Sequence, residues 1–334
     1  MAWNDTEFVY RSLSNKSLRL QKVDALGHSE WGEDGILICS SSKYVEMGEE
    51  EKREFTRSLP TYTGEYMIAY GDPDGIIVGW NEVDSEEKRI THVEKIERED
   101  YAAWHQQWLS QYSGQYVSKL VSDGSGGVIV FMGGSSDSYI AQKINSEGRL
   151  EWPSGGVSLG HNITQVIGDG LGGAFLLRSD WHLPSPGPPS RLYIQKIGAQ
   201  GELLWPDQTL VVSTEEEMFQ SDIISDEAGG AIVAWIPSDR RTKSMGEIRA
   251  QRFDSSGQTL WKESGVDVFG VPELMFGAPV MVRDGMGGTI ITAAAGNSSK
   301  ANGVYAQRLN DDGDYLWGGG VRVTKSEINY HDMQ

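Results

Sequence analysis

Apolar runs of four residues recur along the chain, each entered through a glycine-rich turn. Val128-Ile-Val-Phe follows the turn Asp123–Gly127, Ala174-Phe-Leu-Leu follows Asp169–Gly173, Ala231-Ile-Val-Ala follows Asp226–Gly230, and Thr289-Ile-Ile-Thr follows Asp284–Gly288. Continuous runs this short predict strands buried on both faces. A strand such as Gln115–Val121 precedes each turn, and an alternating strand such as Tyr193–Ile197 follows after a polar loop. Alternation predicts one face in and one face out. A fourth strand is expected to begin at a tryptophan and to carry runs such as Leu210-Val-Val and Ile36-Leu-Ile. The aspartates of the turns can bond the backbone two residues on, and the glycines supply positive φ.

The pattern is a repeat with fixed internal spacing. Gln21, Glu94, Gln142, Gln195, Gln251 and Gln307 each precede a tryptophan by ten residues: Trp31, Trp104, Trp152, Trp205, Trp261 and Trp317. A base follows each anchor: Lys22, Lys95, Lys143, Lys196, Arg252 and Arg308. Six positions after the anchor stands a glycine in five copies, Gly27, Gly148, Gly201, Gly257 and Gly313, and Asp100 in the second. Four antiparallel strands recurring about every fifty residues describe propeller blades. The expected fold is all-β: a six-bladed β-propeller of four-stranded antiparallel blades, one domain spanning 1–334. Glu7–Tyr10 reads as a second strand with no first, and Ile328–Gln334 as a first strand with no second. Gln307 to Gln334 and on to Gln21 spans 48 residues if the ends are joined, as does Glu94 to Gln142. The C-terminal strand is therefore expected to complete the N-terminal blade, since a closed ring leaves no exposed edge.

Composition narrows the function classes. A formal charge of -19 argues against a nucleic-acid partner. Cys39 is the only cysteine, so no internal disulfide can form. No apolar run reaches the length of a membrane-spanning helix. The first residues lack a basic-then-apolar leader, so the chain is expected either to stay inside the cell or to have lost a signal upstream of this numbering.

The phrase Asp-Gly-x-Gly-Gly, an apolar strand, Tyr-x-Gln-Arg/Lys, then Gly-x-x-Leu-Trp resembles the propeller repeat of secreted and cell-surface bacterial proteins. Phe253–Trp261 and Tyr305–Gly313 carry the likeness best, and it extends over nearly the whole chain. The resemblance implies an extracellular or envelope location and a non-catalytic binding or structural role.

No local spacing points to catalysis or a cofactor. The histidines His28, His92, His105, His161, His182 and His331 form no His-x-His or His-x-x-x-His pair, so no zinc site is expected. Asn310–Asp314 resembles part of a calcium loop but occupies a repeat turn and lacks the later glutamate. No Gly-x-Ser-x-Gly elbow or phosphate loop is present. Function is expected where the copies differ. The Asp-Gly and Gly-to-Trp turns form one uniform end of the blades. The other end carries the loop at Gly133, the acidic insertion 41–61 and the proline-rich stretch after Trp181. Functional residues concentrate on such variable loops. Trp80 and Trp235, expected to end second strands, Trp181 in the proline loop and Arg178 just before it are the candidate contacts for a protein or glycan partner. Aromatics there would supply contact area with few rotors. A carbohydrate-active enzyme with carboxylates at the channel mouth is the alternative.

Overall fold

The computed structural model describes residues 7–13, 17–23, 26, 28–29, 36–40, 67–70, 75–83, 89–98, 101–109, 117–133, 138–180, 190–205, 209–214, 218–226, 228–238, 247–262, 264–270, 275–297 and 300–324. Every regular element among them is a strand, and every pairing is antiparallel. The fold is all-β and propeller-like: sheets of four strands in up-and-down order. The chain divides into two compact units, Met1–Ser110 and Gln111–Gln334.

The first unit holds two sheets. The first has strands Glu7–Leu13, Ser17–Val23 and Ile36–Ser40 in chain order, so Glu7–Leu13 takes the place of a second strand. Its expected inner neighbour, Ile328–Gln334, lies outside the described residues. The second sheet orders Met67–Tyr70, Ile76–Val83, Arg89–Arg98 and Tyr101–Leu109.

The second unit holds four sheets in chain order. The third runs Val117–Ser122, Val128–Met132, Tyr139–Ile144 and Val157–Gly160. The fourth runs Ile163–Gly168, Ala174–Asp180, Ser190–Ile197 and Thr209–Thr214. The fifth runs Met218–Ser225, Ala231–Ser238, Arg249–Phe253 and Val266–Asp267. In the sixth, the short strands Met275–Phe276 and Val280–Arg283 share one edge of Thr289–Asn297, followed by Lys300–Leu309 and Val321–Arg322. Apolar side chains fill the space between consecutive sheets: Phe131 and Leu176 between third and fourth, Phe175 and Val233 between fourth and fifth, Ile232 and Ile291 between fifth and sixth.

Each element of the repeat has a structural partner. In the turns, Asp123 Oδ1 accepts from the N–H of Ser125 and Gly127, both at 2.8 Å. Asp169, Asp226 and Asp284 repeat the geometry. The other carboxylate oxygen meets the base after the anchor: Lys143 at 3.7 Å, Lys196 at 3.7 Å, Arg252 at 3.1 Å and Arg308 at 2.9 Å. The anchor glutamines are buried clamps. Gln251 donates to Lys262 O at 2.6 Å and accepts from Trp261 N at 3.1 Å; Gln307 donates to Gly318 O at 2.9 Å and accepts from Trp317 N at 3.2 Å. Gln142 and Gln195 hold the same stretch of chain. One side chain thus satisfies a donor and an acceptor in the loop that carries the tryptophan. That loop precedes the fourth strand, so in the second unit the tryptophan stands before the strand and does not begin it. In the second sheet Trp104 lies inside its strand.

The tryptophans lock each sheet of the second unit to the next. Trp152, Trp205 and Trp261 are buried, and their Nε1 donate to Ala199 O, Ser255 O and Asp311 O of the following copy at 3.0, 3.1 and 2.8 Å. The indole lies on that copy's late glycine. Gly257 has φ +86°, and a Cβ there would sit 2.9 Å from the Trp205 ring. Gly201 and Gly313 hold equivalent places against Trp152 and Trp261. The column therefore requires glycine twice over, for backbone conformation and for space.

Trp205→Ala should destabilise the second unit by about 3–5 kcal/mol, the range for a large aromatic removed from a core. Gly257→Ala should be destabilising too, by about 1–3 kcal/mol through overpacking against the same ring. Chemical denaturation of both variants checks this; a Gly257→Ala chain as stable as the parent excludes the interlock.

Candidate functional site

Among the described residues, a group of polar side chains outside the repeat pattern stands in each unit. The first is on the second sheet. Here the outer strand stays in the ladder beyond its tryptophan, so His105 lies opposite Glu94 and Trp80 lies opposite His92. Strand alternation and direct pairing place Trp80, His92, Glu94 and His105 on one face. The Trp80 and His92 rings stack at 5.0 Å with 8° between planes, and His105 tilts against both. His92 Nδ1 and His105 Nε2 are 3.1 Å apart, a hydrogen bond whose donor is set by the tautomers. Beside them Thr91 Oγ1 donates to Asn81 Oδ1 at 3.0 Å. Burial pushes the Glu94 carboxyl above its ordinary range, partly offset by His105.

The second group lies at the variable end of the third and fourth sheets. A two-residue link, His161 and Asn162, joins Val157–Gly160 to Ile163–Gly168. Asn162 takes φ 61°, a left-handed conformation that asparagine tolerates. Its carbonyl accepts from Ser179 N at 3.2 Å, and its Nδ2 donates to Asp180 Oδ1 at 3.4 Å. Arg178 Nε donates to His161 O at 2.9 Å, and the guanidinium lies over Gly160. Ser138 Oγ and His161 Nε2 are 3.2 Å apart. Arg178 is half-buried and its two terminal nitrogens have no other hydrogen bond among the described residues, while His161 is exposed. The arrangement presents a fixed cation beside an imidazole, suited to an oxyanion or a ligand hydroxyl.

Of the four residues singled out from the sequence, Trp80 belongs to the first unit and Arg178 and Trp235 to the second. Arg178 lies half-buried near the end of Ala174–Asp180. Trp181 lies outside the described residues. Trp80 and Trp235 are corrected: they are 7% and 2% exposed and belong to packing. Both second strands run three residues past the tryptophan, so each indole is held inside the ladder and does not emerge at its end. His92, His105 and His161 were missed because each joins its group across strands or through a link, where local spacing gives no signal. Glu94 was visible as the one acid in a column of glutamines.

Among the described residues no group of three or more His, Cys, Asp or Glu side chains is gathered to hold a metal. The Asn310 turn is closed by its own backbone, Asn310 Oδ1 accepting from Asp312 N at 3.1 Å and Asp314 N at 2.7 Å. Asn145 closes the matching turn of the third sheet in the same way. No helix among the described residues is long and apolar enough to cross a membrane.

No family model matches the chain, and no curated protein matches it. Among solved structures it is similar to Saccharomyces cerevisiae Sqt1, at 12% identity and TM-score 0.44 over 81% of this chain and 66% of that one. It is similar to a eukaryotic initiation factor at 6% identity and TM-score 0.47, over 96% of this chain and 64% of that one. An endo-arabinase from Bacteroides thetaiotaomicron matches at 12% identity and TM-score 0.35, over 77% of this chain and 96% of that one. The chain thus spans 66% and 64% of the length of the first two. At these scores the likenesses assign neither activity nor partner.

Trp80→Ala should destabilise the second sheet by about 3–5 kcal/mol, as loss of a buried aromatic does. Hydrogen exchange of 76–109 measures this; exchange as slow as in the parent would return Trp80 to the surface.

Proposed function

We propose that the chain is a non-catalytic binding module of a bacterial surface or envelope, docking a protein or glycan through its variable loops. The single observation that carries this is the Arg178–His161 group. It is a polar site at the end where the copies differ, built on a rigid two-residue link and the tip of a buried strand. Rigid mounting lowers the ordering cost of binding. The repeat resemblance supports the extracellular location. An enzyme acting on glycosides would use two carboxyl groups flanking the scissile bond. Glu94 is the one described carboxyl held above its ordinary range, and its described neighbours are histidines, so binding is the better supported reading.

The proposed architecture is the six-bladed ring, one domain of residues 1–334, with Ile328–Gln334 as the missing strand of the first blade. Two observations support closure: the 48-residue spacing across the joined ends and the first sheet, which has three strands among the described residues.

Arg178→Ala combined with His161→Ala should leave the melting temperature unchanged and weaken binding on a glycan array by about ten- to a hundredfold, the worth of one charged hydrogen bond. Undiminished binding by the folded double variant would move the site elsewhere. Removing the last seven residues, Ile328–Gln334, should lower the melting temperature by more than about 5 °C. A truncated chain that melts with the parent refutes closure through the C terminus.

A further inference from the structure

Arg178 stands at a fixed place in the repeat, two residues past the second-strand position that pairs with the anchor. The same place holds Trp80, Met132, Trp235 and Ala293 in the second, third, fifth and sixth copies, and Arg11 in the first. Trp80, Trp235 and Ala293 are buried there as packing. The fourth copy puts a cation in that place. Alternation sets it on the face of Leu176, which packs toward the third sheet.

The chain carries 48 acidic residues against 29 basic ones, so a base without an acid partner is set apart. Lys143, Lys196, Arg252 and Arg308 each reach the aspartate of a turn. Arg178 does not. It is half-buried, its Nε is committed to His161 O at 2.9 Å, and neither terminal nitrogen has a hydrogen bond or ion pair among the described residues. With Nε committed, the two terminal nitrogens remain as a fork that matches the two oxygens of a carboxylate. Gly160 lies beneath the guanidinium, where a Cβ would already stand 3.6 Å from Nη1.

The other described side chains of the group are polar. Ser138 and His161 are 3.2 Å apart, and Asp180, on the same face as Arg178, accepts from Asn162 Nδ2 at 3.4 Å. None of them is an apolar anchor of the kind a peptide partner fills. An ionised Asp180 accepts hydrogen bonds only, so it favours a ligand that brings hydroxyl donors and opposes one that brings several charges. A single carboxylate with hydroxyls beside it answers to the whole group.

We propose, building on the binding role given above, that this site takes an acidic sugar: its carboxylate is held by the two terminal nitrogens of Arg178 and its hydroxyls by Ser138, His161 and Asp180.

The test is ligand-observed saturation-transfer NMR on the full chain, titrating glucuronate against glucose and galacturonate against galactose, with inorganic phosphate and triaspartate as further probes. The uronates should bind at least about tenfold more tightly than the neutral sugars, the effect of one charged hydrogen bond. Arg178→Gln should abolish that preference at an unchanged melting temperature. Arg178→Lys keeps the charge without the fork and should retain only part of it; this variant decides the question if the glutamine variant does not fold. Uronates that bind no better than neutral sugars, or a preference untouched in a folded Arg178 variant, overturn the acidic-sugar assignment and leave the binding module standing. Tighter binding of phosphate or triaspartate overturns it as well. Absence of saccharide binding both here and on the glycan array overturns the two readings together.

Discussion

The structure of the second unit depends on how one buried glutamine side chain holds one loop. After its third strand, each copy must bring a tryptophan into the face of the next sheet, and to do so the chain leaves the ladder before the fourth strand. Leaving the ladder strands a carbonyl and an N–H in a buried place, where each would cost about 1–3 kcal/mol if unmet. The amides of Gln251 and Gln307 meet both. The ten-residue offset is thus the length of a turn plus the reach of one amide. Where the outer strand does not leave the ladder, as at His105, the amide is dispensable and the column tolerates an acid.

The paired charges have a different role. Lys143 with Asp123 and Lys196 with Asp169 are nearly fully buried pairs, and such pairs add little net stability over apolar replacements. Their value is in placement. The aspartate closes its turn with one oxygen and receives the base with the other. The base in turn reaches the following sheet, Lys196 donating to Gly229 O at 2.6 Å and Arg252 to Asp311 O at 3.2 Å. At Asp284 burial opposes the charge, but bonds from Met286, Arg308 and Gly288 outweigh it and hold the carboxyl below its ordinary range. The sign is opposite to that at Glu94: the Asp284 contribution is present above the ordinary carboxylate range and is lost on acidification.

Strand content, turn chemistry and the packing role of the tryptophans were legible in the sequence because they recur. A column of residues at fixed offset reports a shared neighbour, as Trp205 and Gly257 do for each other. Strand ends were less legible. Trp80 and Trp235 looked like loop residues because the apolar runs stop there, yet pairing continues through Val83 and Ser238. Backbone pairing extends a strand at no demand on side-chain polarity, so hydrophobic pattern underestimates its length. The site groups were legible only in part. Arg178 could be placed from loop variability alone, but its partner His161 is brought to it by the turn from one sheet into the next. His92 and His105 meet through register, which no local spacing encodes.

The contact between indole and glycine has a direction. In the second unit three tryptophans are covered by the turn of the copy that comes after them in the chain, Trp152 by Gly201, Trp205 by Gly257 and Trp261 by Gly313. A polypeptide leaving the ribosome N-terminus first would therefore present each of these three indoles before the turn that covers it has been made, and a chain stalled at that point would expose an apolar ring.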